Sequence, residues 1–423
     1  MTFSSIFKNK KIIILFFSLI AFDIFLWFIT SEHFDCFYYH GGWAHYIREN
    51  GVFNIYNENS MRYMDYDYPP IVSFLIAPFA VPIDNLYKII FSQLPTKPIY
   101  SNVWIPFCSL IKIPFIIPNI VFVVYVYKKI SKTFALMWFI NPVIVIDLFL
   151  YGQSDSLLCI CLFFMLFYFK EKKYYSATIW FAIGCLTKLQ MVYLAPIFLI
   201  LLLKSKSIKK ILTCIGLGAM IGLAVFLPFM ICSGNPLLPF DVYLGGFGKY
   251  PVLTFCSNVW WPFCNLNYSN IQTIDQLPFG SVINIGLYLI IIIFFCYKII
   301  KKENFLPYVC MYLFSIFEFC LLQHERYIVP AMVPLLIMLY IDKEKSKKLA
   351  RATYMLIITS ATHIFSHIVY NFDTTLFKTF FSFVDFICVF LFIISFIMLA
   401  RAIKQIDTEE RRDREAIAEG NAS

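Results

Sequence analysis

The residues that could take part in a reaction lie in six short polar clusters that interrupt a very apolar chain. They combine carboxylates, imidazoles, amides, one lysine, one arginine and several aromatic rings, and they occupy positions 32–45, 64–70, 151–155, 187–190, 257–261 and 323–327. A positioned carboxylate can remove a proton, while cations beside it can hold a phosphate. The clusters therefore favour group transfer from a phosphorylated substrate.

The most densely charged cluster is Gln-His-Glu-Arg-Tyr at 323–327. In one interpretation Arg326 and His324 hold a phosphate, because a guanidinium fork matches phosphate oxygens and histidine adds a second donor or a proton. In the other, Glu325 and Arg326 form an ion pair and Tyr327 anchors the chain at a membrane interface. The sequence leaves both interpretations open.

Two further residues are candidates for the chemistry. Lys188 has no acid nearby in the sequence, so it is either a second phosphate ligand or a lysine whose head reaches the membrane surface. Asp35 follows the first apolar run and is the candidate general base, since burial against aromatic residues would raise its pKa. A solvated loop acid is the alternative, and Asp155 and the pair Asp65/Asp67 compete for the same role.

Metal and disulfide sites are only weakly indicated. Asp65-Tyr-Asp67 resembles an Asp-x-Asp metal motif, but two acids at this spacing arise often by chance, and no cysteine spacing matches a zinc site. Cys256 and Cys264 could pair. His363 and His367 lie one helical turn apart and are interpreted as histidines of the core or an interface. We expect no cofactor.

The elements that position these clusters must be membrane helices. The chain of 423 residues is 60% hydrophobic and 14% charged, whereas soluble domains are about 45–50% apolar and about 25% charged. Its apolar runs have the length that crosses about 30 Å of hydrocarbon as a helix. They predict about twelve helices, near 11–30, 104–127, 133–150, 156–169, 174–186, 190–203, 211–232, 281–300, 305–321, 328–341, 354–370 and 379–400.

The basic residues predict the orientation. If the N-terminus is cytoplasmic, 26 of the 35 Lys and Arg residues fall on the cytoplasmic side, as the positive-inside rule requires. The net charge of +9 is thereby assigned to topology and not to nucleic-acid binding. All six polar clusters then lie on the extracytoplasmic side. The apolar segment 71–82 is too short to span, so we predict a short interfacial or re-entrant helix there.

The order of the polar motifs resembles that of the GT-C superfamily of polytopic glycosyltransferases, which use polyprenyl-phosphate sugars. The similarity covers roughly residues 10–340, and it is closest to bacterial members and more distant to dolichol-dependent glucosyltransferases and GPI mannosyltransferase I. It rests on Asp35, Gly51-Val-Phe-Asn-Ile-Tyr56, Tyr68-Pro-Pro70, Tyr151-Gly-Gln-Ser-Asp-Ser-Leu157, Gly184-Cys-Leu-Thr-Lys-Leu-Gln190, Ser257-Asn-Val-Trp260 and His324-Glu-Arg-Tyr327.

The resemblance implies a GT-C-like all-α bundle and an inverting transfer of a hexose to a glycan or glycolipid acceptor. Asp35 matches the catalytic base, and His324 and Arg326 match a motif near the donor phosphate, where Lys188 would join them. Asn258 and Trp260 would line the donor side. The substrate pocket would contain Gln153, Asp155, Asp65, Asp67, Tyr68 and Gln190. Members that use monophosphate donors generally work without a metal.

The predicted organisation is a catalytic membrane module at 1–341, with outer loops at 31–100 and 233–280, followed by helices and a charged cytoplasmic tail at 342–423. Residues 405–423 are predicted to be a solvated or disordered end. The protein would be a multi-pass protein of the cell membrane, or of the endoplasmic reticulum in a eukaryote, with both termini cytoplasmic. Two alternatives stay open: a polysaccharide polymerase or ligase with a lipid diphosphate donor, and a lipid-linked sugar transporter.

Overall fold

The computed structural model describes residues 36–57, 66–85, 105–249, 253–254, 256–265, 279–341, 347–370 and 375–420. The predicted base Asp35, the pocket residue Asp65 and the first predicted span at 11–30 lie outside these residues. Within them the chain is almost entirely helical, and two strands of two residues each pair with one another. The predicted all-α class is confirmed.

The chain folds into two compact units. The first unit comprises 1–250 and 368–377, and the second comprises 251–367 and 378–423. The functional division predicted at residue 341 stays a prediction.

The described helices of the first unit are α1 (Gly42–Asn50), α2 (Ile71–Asn85), α3 (Ile105–Lys129), α4 (Lys132–Phe139), α5 (Pro142–Tyr151), α6 (Asp155–Lys170), α7 (Tyr174–Thr187), α8 (Leu189–Leu203), α9 (Ile208–Ser233) and α10 (Leu238–Lys249). The short helix predicted at 71–82 is confirmed as α2 and continues to Asn85. α7 packs between α6 and α9. Gly184 allows α7 to pack closely against Cys161 of α6 and Met191 of α8. A Cβ at this position would lie 2.9 Å from Met191 Cγ and 3.1 Å from Cys161 Cβ.

The run predicted as one span at 133–150 is broken. α4 and α5 meet at a bend of 53°. Asn141 begins the second helix, because its Oδ1 accepts a hydrogen bond from the amide of Val143 at 3.0 Å. Pro142 follows at the first helical position and has no amide hydrogen to continue the earlier helix. The Asn-Pro pair therefore explains the break.

The second unit contains β1 (Leu253–Thr254), α11 (Trp261–Asn265), α12 (Gly280–Lys301), α13 (Leu306–Phe319), β2 (Gln323–His324), α14 (Val329–Ile341), α15 (Lys347–Tyr370) and α16 (Thr375–Gly420). α13 packs against both α12 and α14. β1 and β2 are parallel, with Leu253 opposite Gln323 and Thr254 opposite His324. Leu322, just before β2, has a φ of 61°, a strained conformation for a bulky side chain.

The end of the chain is helical and solvated. α16 continues as a helix to Gly420, and Arg411, Arg412 and Glu415 on it are exposed. Of the two predicted alternatives, a solvated or a disordered end, the structure favours the solvated one. At the start of this segment Asp407 accepts from Lys302 Nζ at 2.9 Å and also from the Tyr308 hydroxyl, and Ile403 and Ile406 are buried.

Several helices are suited to a membrane. Among the described residues, four are long and apolar enough to cross it, and the bent pair α4 and α5 would make a fifth. The four segments are Leu110–Lys129, Ile208–Ser233, Gly280–Lys301 and Ser382–Arg412. Shorter apolar helices accompany them. These lengths indicate a membrane protein.

Candidate functional site

A buried ion pair forms the polar centre of the first unit. Lys188 Nζ lies 2.5 Å from Asp155 Oδ2, and the two side chains are 4% and 1% exposed. Asp155 is the first residue of α6, and Lys188 follows the last residue of α7. Because these consecutive helices run in opposite directions, residues 33 positions apart meet at one end of the hairpin.

The chain before α6 is shaped by two features. Gly152 has a φ of 70°, a left-handed conformation that favours glycine. Asp147 then closes the turn, because its Oδ2 accepts from the amide of Ser156 at 3.2 Å and its carbonyl accepts from the amide of Gln153 at 3.0 Å. Lys112 is fully buried beside this turn and donates to the Phe149 carbonyl at 2.8 Å.

An aromatic layer lies against the ion pair. The ring of Tyr68 is 5.6 Å from Lys188 Nζ and 5.3 Å from the ring of Trp43. The hydroxyl of Tyr56 donates to the Tyr68 carbonyl at 2.7 Å, and that of Tyr66 donates to the Pro69 carbonyl at 2.8 Å. Burial raises the pKa of the Tyr66 phenol well above its usual range, so it stays a neutral donor. The motif Tyr68-Pro-Pro70 is thus held in place by two tyrosine hydroxyls.

Buried polar side chains surround the same pair. The predicted pocket residues Gln153 and Gln190 are both buried, and so is Ser154, which the sequence analysis missed. Gln190 Oε1 and Ser154 Oγ have no hydrogen-bond partner among the described residues. A buried polar atom without a partner costs about 1–3 kcal/mol, so it suggests contact with water or a ligand. Asp67 is half-buried.

A largely apolar groove extends from this polar centre. Its volume is about 450 Å³, within the range of about 300–1,000 Å³ typical of ligand pockets. It is lined by α2, α3, α6 and α7 through Ile71, Leu75, Pro118, Val121, Phe122, Tyr125, Leu157, Ile160, Cys161, Phe164, Tyr168, Trp180, Ile183 and Thr187. No motif in the sequence indicates this groove.

The groove runs along α6 and opens sideways. Thr187 lies at one end, directly before Lys188, and Tyr168 lies near the other end of α6. At 1.5 Å per helical residue, the stretch 157–168 spans about 16 Å, roughly half the hydrocarbon thickness of a bilayer. Val121 is 61% exposed, so the groove is accessible from the side of the helices.

A second polar cluster, also missed by the sequence analysis, joins α1 to the end of α2. Asp84 is fully buried and accepts from His45 Nδ1 at 2.6 Å and from Arg48 Nη1. Arg48 also donates to Asn85 Oδ1 at 2.6 Å. These polar contacts connect α1 to the end of α2.

Replacing Asp84 with alanine should therefore destabilise the fold. Loss of hydrogen bonds to charged groups costs about 1–3 kcal/mol, which corresponds to several degrees in melting temperature. The measurement is thermal unfolding of the purified protein in detergent. Asp241→Ala is the matched control, because Asp241 is an exposed acid that accepts from Asn235 at 2.7 Å. Equal melting temperatures for the two variants would contradict the expected contribution of Asp84.

The cluster at 323–327 is buried in the second unit. Arg326 Nη1 donates to Glu325 Oε1 at 2.7 Å, and His324 Nδ1 lies 3.5 Å from Glu325 Oε2. The predicted Glu325–Arg326 ion pair is confirmed. The alternative interpretation, in which His324 and Arg326 bind a phosphate, stays a prediction. The strained Leu322 and the bridge from β2 to β1 fix the backbone leading into the cluster.

Asn258 and Trp260 hold the end of α13. Asn258 Nδ2 donates to the carbonyls of Phe317 and Cys320 at 2.9 and 3.0 Å, and Trp260 Nε1 donates to the carbonyl of Phe319 at 2.7 Å. These carbonyls lie at the end of a helix, where they have no donor within the helix and need one from elsewhere. The described contacts of both residues are thus structural, and their predicted contact with a donor stays a prediction.

Neither a disulfide nor a metal centre appears in the part of the chain that is described. Cys256 and Cys264 are both free thiols. Over the same residues, no group of three or more His, Cys, Asp or Glu side chains could hold a metal ion. The Asp65/Asp67 motif falls partly outside this part of the chain.

No model of a known protein family matches the chain, and no curated protein matches it.

Proposed function

We propose that the protein is an integral membrane hexosyltransferase that takes its sugar, glucose or mannose, from a polyprenyl-phosphate donor. The observation that carries the proposal is the apolar groove whose lining includes Thr187, the residue directly before the buried Lys188. A polyprenyl-phosphate sugar has the matching parts in the same order, namely an apolar tail, an anionic phosphate and a polar sugar. The motif order resembling GT-C glycosyltransferases supports the same assignment.

The tail would lie in the groove, and the phosphate would meet Lys188. Thr187 and Leu157 line the groove; Lys188 directly follows Thr187, and Asp155 lies two residues before Leu157. An ammonium group has three donors, so Lys188 can hold a phosphate oxygen while it stays bonded to Asp155. The cation would stabilise the charge that grows on the departing phosphate, which is often the largest demand of such a reaction.

The sugar would occupy the polar side of the ion pair. Gln190 Oε1 and Ser154 Oγ are buried hydrogen-bonding atoms with no described partner. A sugar hydroxyl can donate to either oxygen and can accept from the Ser154 hydroxyl. Gln153, Asp155 and the ring of Tyr68 would complete the contacts. A sugar that left these buried polar atoms unpaired would bind the transition state less tightly, and this difference would make the site selective among sugars.

The transfer would proceed by inversion. An acceptor hydroxyl attacks the anomeric carbon, the bond to the phosphate oxygen breaks with its electron pair, and a base takes the hydroxyl proton. Asp35 is assigned this role from its place in the sequence. For His324 and Arg326, binding of the donor phosphate is the role that the resemblance to GT-C glycosyltransferases implies. The proposal also includes about twelve spans, cytoplasmic termini and an extracytoplasmic site, supported in part by the apolar helices.

The test is transfer by the purified full-length protein in nanodiscs. The protein is incubated with polyprenyl-phosphate glucose or mannose and a mixed glycolipid acceptor fraction, and lipid and glycan products are identified by mass spectrometry. We expect release of polyprenyl phosphate together with a product heavier by one hexose. Turnover only with lipid diphosphate donors would favour a polymerase or ligase. Movement of an intact lipid-linked sugar across vesicles without a covalent product would favour a transporter.

A further inference from the structure

A buried histidine connects the last two helices to the loop that precedes α11. Ser257 donates its amide to His363 Nε2 at 3.3 Å, and its hydroxyl lies 3.2 Å from His363 Nδ1. Asp385 Oδ1 lies 3.3 Å from the same Nδ1. His363 is on α15 and Asp385 is on α16. Three separate segments of the second unit therefore meet at one imidazole ring.

The geometry fixes the role of this ring. Because Nε2 accepts from a backbone amide, it carries no proton, and the ring proton lies on Nδ1 toward Asp385. A serine nucleophile would need its hydroxyl on the unprotonated nitrogen, opposite the carboxylate. Here the Ser257 hydroxyl and Asp385 share Nδ1. The arrangement is therefore suited to holding the Ser257 backbone and not to activating a nucleophile.

The loop held by His363 reaches the cluster at 323–327 by two routes. On one side, Val259 donates its amide to the Glu318 carbonyl at 3.3 Å, alongside the Asn258 and Trp260 contacts to the end of α13. On the other side, Thr254 in β1 lies opposite His324 in β2. Movement of the loop would thus shift the backbone on which His324 and Arg326 are placed.

We propose that His363 and Asp385 are positioning residues for the segment that carries His324 and Arg326, so that the last two helices belong to the working site. This inference rests on the proposed function, in which those two side chains bind the donor phosphate. It assigns a role to α15 and α16, which carry none of the motifs of the first 340 residues. A half-buried contact between the Ser366 hydroxyl and Asp385 Oδ1, 3.0 Å apart, also joins α15 to α16.

The test compares His363→Ala and His363→Gln in the full-length protein. Glutamine places a neutral acceptor near the position of Nε2 and can keep the Ser257 amide bonded, whereas alanine cannot. The first readout is alkylation of Cys256, measured peptide by peptide with N-ethylmaleimide. Cys256 is fully buried next to Ser257, and burial raises the pKa of its thiol, so it should react slowly when the loop is held. Cys310 and Cys264 are the buried and partly exposed references.

We expect His363→Ala to increase Cys256 labelling and the KM for the donor by about tenfold each, the scale of one lost hydrogen bond. kcat should change less, and His363→Gln should restore both quantities. Ser395→Ala, a buried serine on α16 that donates to the Leu391 carbonyl, should match the wild type. If His363→Ala cannot be purified, Asp385→Ala is measured in the same way.

Unchanged Cys256 labelling in the alanine variant would overturn the inference, as would a loss of transfer that glutamine fails to restore. The labelling readout does not depend on the reaction. If the wild type transfers no hexose from any polyprenyl-phosphate donor, the proposed function fails, while labelling still decides whether His363 holds the loop.

Discussion

Replacing Lys188 with glutamine is expected to reduce hexose transfer from a polyprenyl-phosphate donor by about 100-fold or more, the usual scale for loss of a group that stabilises transition-state charge. Glutamine keeps a hydrogen-bond donor but removes the cation that would balance the departing phosphate. The effect should fall mainly on kcat, because the charge on the leaving oxygen grows as the bond breaks. Initial rates over a range of donor concentrations give the comparison.

Stability must be separated from catalysis in this experiment. Removing one partner from a buried ion pair costs about 3–5 kcal/mol, because the other charge is left alone. The single variant should therefore melt at a lower temperature. The double variant Lys188→Gln with Asp155→Asn removes both charges and should recover most of the stability without recovering transfer. A double variant with more than half of the wild-type rate would exclude Lys188 as the phosphate ligand.

Filling the groove is expected to impair only donors with long tails. Val121 lines the groove from its open side, and Val121→Trp would place a large ring where the tail should lie. We expect the KM for a long-chain polyprenyl-phosphate hexose to rise by about tenfold. The tail moves from lipid into protein, and both surroundings are apolar. The size of the KM change is therefore set by packing and not by the hydrophobic effect.

Two comparisons make the groove experiment specific. Ile120→Trp adds the same ring one position earlier on α3, at a residue that is 49% exposed and does not line the groove. A donor with only two isoprene units should be used equally well by both variants. Equal KM values for Val121→Trp and Ile120→Trp with the long-chain donor would remove the groove from the proposed function.

Helix positions were the most predictable part of the fold, because apolar runs of membrane length leave few other solutions. The break at Asn141 was missed although the Asn-Pro pair signals it. The pairing of Lys188 with Asp155 was missed because acids were sought nearby in the sequence. Two consecutive antiparallel helices of similar length return residues 155 and 187 to the same end, so the order of the helices alone contained that contact.

Other features had no local signal. The Asp84 cluster depends on how a short α1 meets the end of α2, which the sequence of either segment alone does not fix. The groove is a gap between four helices, so its existence depends on side-chain packing that no single segment encodes. His363 was interpreted as a core histidine, and only the loop from 256 onward reveals what it holds. The helical end of α16 depends on partners at Lys302 and Tyr308.

The parallel bridge between β1 and β2 has a consequence for biosynthesis. Parallel strands cannot be joined by a tight turn, and here the connection contains α12 and α13. During translation Leu253 and Thr254 emerge well before their partners, and their backbone groups must wait until both helices have been synthesised. A chain interrupted between the two strands would therefore carry an unpaired strand edge, which is a template for pairing with another chain.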